Sequence, residues 1–180
     1  MEYKDKVWIK INSEQFSISG KGADCFLLDA LAAIEDPKES NATEGDGPQG
    51  TIEINTEGTV ESIDGNLVFS YDETELTGME GASTSVSFRE DDTGIVTMMR
   101  TGTVRTVLVF EEGRRNICAY ETEFFPIELT VHTYVLKNSL TSSGGELYID
   151  YVLEMQGGAF ERSRFRMDVR LADGNSIGES

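Results

Sequence analysis

The chain has one histidine, His132, and two cysteines, Cys25 and Cys118, and these limit its nucleophilic and metal chemistry. A hydrolytic triad needs a general base beside its nucleophile. His132 stands among Glu128, Thr130 and Tyr134, on the side of its strand opposite the apolar set, and a lone outward histidine is usually a solvated one. The cysteines lie far apart, in no metal or redox spacing, and read as reduced thiols. Residues 43–47, Thr-Glu-Gly-Asp-Gly, look loosely like a calcium loop but lack its alternating acids and read as a turn. No glycine-rich loop joins a strand to a helix as a phosphate cradle would. No metal or cofactor is therefore expected, and no residue is assigned to catalysis. The carboxylates of interest are Glu73 and Glu121, which strand alternation aims inward at strand ends, beside inward Tyr71 and Tyr151. A desolvated acid at such a place can serve as a general acid. Alternatively, these groups hydrogen-bond one another, or Arg100, at a rim.

What must position these residues is a run of strands. Hydrophobicity alternates with period two over residues 7–11, 51–63, 66–73, 82–89, 95–100, 103–111, 116–122, 127–136, 146–154 and 160–171, with short, mostly glycine-containing turns between most of them. Asp64-Gly65 is a two-residue hairpin signal that pairs Ile63 with Asn66 and puts Val60, Leu67, Phe69 and Tyr71 on one face. The same logic at Thr101-Gly102 pairs Met99 with Val104 and Ile95 with Leu108. At Glu112-Gly113 it pairs Leu108 with Ile117. Chained together, these turns give a face of Ile95, Thr97, Met99, Val104, Thr106, Leu108, Phe110, Ile117 and Ala119, free of charge until Glu121, and this face is read as the interior. Arg100, Arg105 and Glu111 then point outward. Val135 and Leu171 continue the inward sets of the later strands, and the Gly157-Gly158 connection is expected to set Glu154 opposite Arg162 and Asp150 opposite Arg166. The ladder Arg162, Arg164, Arg166 and Arg170 reads as an outer face neutralised by such acids, with an anion site as the other reading.

One segment departs from this pattern. Residues 23–36 read as a short helix, capped by Asp24, striped by Phe26, Leu27, Leu28, Leu31 and Ile34, and stopped by Pro37; a mobile loop, 38–50, follows. The helix is a plug for a barrel end or a lid over a pocket. Residues 1–172 are expected to form one barrel domain, with an insertion at 13–50 and a frayed tail at 173–180. The formal net charge of −18 disfavours nucleic acid and anionic membrane surfaces as partners. The start of the chain has no apolar leader and no run suits a bilayer, so the cytoplasm is the expected compartment.

With the strands placed, a set of short motifs becomes informative: Tyr71-Asp72-Glu73-Thr74 with Thr77-Gly78-Met79-Glu80-Gly81, then Met99-Arg100-Thr101-Gly102, Phe110-Glu111-Glu112-Gly113, Tyr120-Glu121-Thr122, and Gly144-Gly145-Glu146-Leu147 to Asp150-Tyr151. In that order, from about residue 51 to 170, they resemble the YwiB-like family of small bacterial proteins. The resemblance implies an all-β, antiparallel, calycin/lipocalin-like up-and-down barrel in a cytosolic bacterial setting. It implies no catalytic residues. The segment 13–50 is longer than the family's usual first connection, and Glu123-Phe124-Phe125-Pro126 stands where relatives carry a glycine turn.

The functional expectation is a binding protein for a small hydrophobic molecule, without catalysis. Phe69, Tyr71, Met99, Leu108, Leu129 and Tyr151 would line the barrel, with Glu73 and Glu121 at its mouth. The alternative is a barrel filled by those same side chains, serving structure or protein interaction, with a homodimer as one form.

Overall fold

A computed structural model describes residues 3–17, 48, 50–75, 81–102, 105–121, 126–155 and 158–172. Ten antiparallel strands follow one another: β1 (Tyr3–Ser17), β2 (Gly50–Ile63), β3 (Asn66–Asp72), β4 (Ser83–Arg89), β5 (Asp92–Thr101), β6 (Arg105–Glu111), β7 (Arg115–Glu121), β8 (Pro126–Asn138), β9 (Gly144–Met155) and β10 (Gly158–Leu171). Each pairs with its neighbours in sequence, and β1 pairs with β10, so the sheet closes into an up-and-down barrel with no free edge. The helix read at 23–36 and the tail at 173–180 lie outside the described residues.

The strand directions give the barrel two unlike ends. At one end, tight turns join β2–β3, β4–β5 and β6–β7. Asp64 and Gly65 both have positive φ, 50° and 77°, as a two-residue hairpin matched to sheet twist requires. Ile63 pairs with Asn66 and Val60 with Phe69. At the other end lie the connections β1–β2, β3–β4, β5–β6, β7–β8 and β9–β10. We call this end the mouth.

The lumen is closed by apolar side chains from every part of the sheet. Val7, Val60, Phe69, Val86, Val96, Phe110, Val131, Leu147, Ile149 and Met167 all have zero exposure. A side chain with no accessible surface has no water-sized space beside it, so these residues form a dry core.

Several registers differ from those expected. Met99 pairs with Val107 and Met98 with Leu108, three residues away from a two-residue turn at Thr101-Gly102. The longer connection has a steric reason. Gly102 has φ of 132°, and a Cβ there would stand 2.7 Å from the Cα of Ala82 and from the carbonyl oxygen of Gly81, so the hairpin end packs against the β3–β4 connection. An odd shift flips every side chain of β5 relative to β6. Val96 and Met98 therefore face inward with Arg100, while Ile95 and Met99 are each 43% exposed. A one-residue shift does the same to β7. Thr106 pairs with Tyr120, so Cys118 and Tyr120 are buried, and Ile117 is 71% exposed.

Two smaller corrections concern strand ends. A bulge between Thr133 and Val135 turns Leu136, rather than Val135, onto the core, and Leu171 is exposed at the end of β10. Beyond a bulge at 159–161, β10 pairs Arg164 with Asp150 and Arg162 with Val152. That is two residues from the expected register, so faces are preserved. Three members of the arginine ladder are paired with acids on the outer face: Arg162 grips Asp150 through Nε and Nη2 at 2.9 and 2.7 Å, Arg164 lies 3.7 Å from Glu14, and Arg166 meets Glu146 at 2.6 Å.

Candidate functional site at the barrel mouth

One inward layer near the mouth is polar instead of apolar. Reading across paired strands, Tyr71 of β3 stands opposite Thr84 of β4, Thr84 opposite Arg100 of β5, Arg100 opposite Thr106 of β6, and Thr106 opposite Tyr120 of β7. On the other wall, Tyr151 of β9 stands opposite Ser163 of β10; Thr133 of β8, also opposite Tyr151, is bonded through its backbone to Gly113 and Arg114 at the β6–β7 turn and so lies away from the mouth. Tyr71, Thr84, Thr106, Tyr120, Thr133, Tyr151 and Ser163 are all buried.

Glu73 enters this layer from just beyond β3. Its amide donates to the carbonyl of Ala82 at 2.8 Å, which fixes it at the start of the β3–β4 connection. Its side chain is only 2% exposed, and its carboxylate accepts from the Thr84 hydroxyl and lies 3.3 Å from Arg100 Nε. Arg100 Nε also donates to Thr84 Oγ1 at 3.1 Å. Thr84 thus passes a hydrogen bond from cation to anion. Both described contacts of the guanidinium use Nε, one of its five N–H donors, and a quarter of the side chain reaches solvent.

Across the mouth, Ser163 donates to Glu161 Oε1 at 2.9 Å. The Tyr151 ring lies 4.9 Å from Phe110, tilted by 59°, so the polar layer rests directly on the apolar core. Burial, with the charge of Glu161 second, pushes the Tyr151 phenol up to about 12. Burial followed by the charge of Glu73 pushes Tyr71 up as well, and burial does the same to Tyr120. All three therefore remain hydroxyl donors at physiological pH. Among the described residues, the buried hydroxyls of Thr106 and Thr133 have no hydrogen-bond partner.

Of the residues expected to form a site, Phe69, Tyr71, Glu73, Leu108, Leu129 and Tyr151 are buried in the barrel. Met99 points outward, because β5 is flipped. Glu121 points outward too, in an exposed ion pair 3.6 Å from Arg105, because β7 is flipped. The sequence reading had Thr106 inward, as it is, and offered Arg100 as a rim partner while placing it on the outward face; it missed Tyr120 and Ser163 as members of this layer. Thr84 was legible, since Ala82, Thr84, Val86 and Phe88 alternate cleanly. His132 is half-buried, with its ring 4.3 Å from that of Tyr134. Among the described residues, no three His, Cys, Asp or Glu side chains are grouped as a metal site, and no helix is long and apolar enough to cross a membrane. Outside the barrel, a groove of about 620 Å³ runs along β1 and β10 past Trp8, Asn12, Asn55 and Arg170.

The fold and this layer define a closed ten-strand antiparallel barrel of calycin-like shape, apolar through most of its height and polar at one end. Residues 38–167 match the family described as Domain of unknown function (DUF1934), and the chain belongs to that family. It is similar in structure to the ywiB protein from Bacillus subtilis, known from a crystal structure, with 20% sequence identity, a TM-score of 0.61 and 92% of each chain covered. At that identity the likeness shows the fold alone. No curated protein matches the chain.

Proposed function

We propose that the chain is a small-molecule binding protein whose site is the polar layer at the mouth, with no catalytic step. The observation that carries this is the convergence of Arg100, three neutral tyrosines and the unpartnered Thr106 hydroxyl on one end of a barrel that is otherwise mostly apolar. A buried hydroxyl without a partner costs about 1–3 kcal/mol, and a bound molecule would remove that cost. The packed lumen argues against a ligand deep in the barrel, so the expected hydrophobic occupant is moved up to the mouth.

Charge selects the head group. Glu73 already balances Arg100, and Glu161 adds a second acid beside Tyr151. A carboxylate would raise the negative charge of a desolvated site, whereas a carbonyl or hydroxyl would accept from Arg100 and the tyrosines without that cost. The occupant is thus an uncharged molecule with an apolar body and an oxygen-bearing head. Native mass spectrometry of freshly purified protein, compared with its denatured mass, tests this. A non-covalent excess that is lost on denaturation, and lost from Arg100→Met, supports the reading. An apo mass together with no thermal shift from a panel of uncharged ketones and alcohols overturns it.

A second reading, a filled barrel serving protein interaction, is favoured by the zero exposure of the central layers. It becomes the better one if the apo result is obtained.

A further inference from the structure

The groove of about 620 Å³ on the outer wall is lined by residues that the mouth does not use. It lies over three cross-strand rows centred on β1. Arg170, Trp8 and Glu57 make the first row, Asp168, Lys10 and Asn55 the second, and Arg166, Asn12 and Glu53 the third. Val7, Ile9 and Ile11, which alternate with the β1 members of these rows, are buried in the core. Trp8 is the chain's one tryptophan, and it is 51% exposed. A large ring left half uncovered beside a groove is a stacking face without an occupant.

Charge limits what can lie on that face. Lys10 is held by Glu53 at 2.9 Å, and Arg166 by Glu146 at 2.6 Å and Asp168 at 3.4 Å. Arg170 forms no ion pair among the described residues, and Glu57, on the other side of Trp8, offsets it. The rows thus hold three cations and three acids, and Glu146 of β9 adds one more acid. An anion finds no surplus of positive charge there and meets the field of a chain at −18. A cation finds Asp168, Glu53 and Glu146 already bonded, beside an uncommitted arginine, while Glu57 lines a separate pocket next to Lys6 and Ser70. An apolar molecule finds only the Trp8 ring and Ile9 among mostly polar lining residues. What the groove offers is hydrogen bonding: the Asn12 and Asn55 amides and the Arg170 guanidinium have no partner among the described residues, and together they present both donors and acceptors. The complementary ligand is uncharged, has a C–H face to lay on the indole, and carries several hydroxyls, each a donor and an acceptor. A sugar ring combines these properties, and the volume is that of a small-molecule site.

We infer that this groove is a second binding site, for a neutral saccharide stacked on Trp8 and hydrogen-bonded by Asn12, Asn55 and Arg170. It does not rest on the site at the mouth, and either can fail without the other. Because Trp8 is the single tryptophan, its fluorescence in the full chain reports on the groove directly. Titration with neutral oligosaccharides of glucose, galactose and N-acetylglucosamine is expected to give a saturable change in emission with at least one of them, at a Kd of about 1 mM or below. The midpoint is expected to be the same in low and high salt, because no ion pair forms. Asn55→Ala, at an exposed position, is expected to weaken binding at least tenfold with an unchanged melting temperature. No saturable change with any of these sugars, a midpoint that moves with salt, or an Asn55→Ala variant that binds as tightly as the native protein overturns the inference.

Discussion

The sharpest prediction concerns Arg100 and Glu73, the only opposite charges among the described contacts of the mouth layer. Replacing Arg100 with methionine keeps an unbranched apolar stem and removes the guanidinium with its charge. Among the described residues, the Glu73 carboxylate, 2% exposed, then keeps the Thr84 hydroxyl as its hydrogen-bond partner. Removing one partner of a fully buried pair costs about 3–5 kcal/mol. Here Arg100 is a quarter exposed and Thr84 remains, so the cost falls at the lower end, about 3 kcal/mol. For a chain of this length, that corresponds to a fall in melting temperature of about 6–12 °C. Glu73→Gln keeps the shape and the contact with Thr84 and leaves a cation that can turn to water, so it costs about 1 kcal/mol. The two changes act on one contact, so the double variant is expected to be more stable than the sum of the singles by about 1.5–2 kcal/mol. Urea unfolding of the four proteins measures all three quantities. An Arg100→Met variant destabilised by less than about 0.5 kcal/mol, or strict additivity in the double variant, would show that the pair is not coupled as its 3.3 Å geometry implies.

Three further outcomes follow from the same geometry. Tyr151 and Tyr71 hold their protons more tightly folded than unfolded, mainly through burial. Their contribution is whole below the unfolded value of about 10 and is lost as pH rises toward the folded values, at about 1.4 kcal/mol per pH unit for each. Stability measured from pH 9 to 11 should therefore fall, and Tyr151→Phe should remove its share of the slope. Gly58→Ala would place a Cβ 2.5 Å from the Ser70 carbonyl oxygen and 2.5 Å from Ile9 Cδ1; it is expected to cost about 1–3 kcal/mol, read from the denaturation midpoint. The Cys118 thiol is buried, and its pKa is raised by that burial, so in a Cys25→Ser background it should resist Ellman's reagent until the barrel unfolds.

Much of the barrel was legible because alternation and turn chemistry are local. Asp64-Gly65 carried its register without error, since both residues accept the positive φ that its turn demands. The later strands β9 and β10 kept their faces even where the register slid by two, because a shift of two preserves the inward set. The β5–β6 connection was not legible. Its length is set by Gly102 packing on the backbone of Gly81 and Ala82, a contact between connections far apart in sequence. Nothing within residues 95–111 reports that contact.

The error on β5 also had a chemical cause, and it bears on the site proposed at the mouth. Residues 95–100 offer two almost equally apolar faces, Ile95, Thr97 and Met99 against Val96, Met98 and Arg100. A charge rule sends Arg100 to water and the other face to the core. The barrel does the reverse, because Glu73 and Thr84 arrive from β3 and β4 to receive the cation inside. Desolvating a guanidinium is unfavourable without such partners, and the face released to the outside carries apolar residues that a solvated strand has no need of. One flip thus produces two departures from the simplest barrel, a charge drawn inward at the mouth and an uncharged face turned outward on the wall. An ordinary solvated strand would show neither. A site that engages the inward cation accounts for the first, and the second follows from it, because the two faces of a strand turn together.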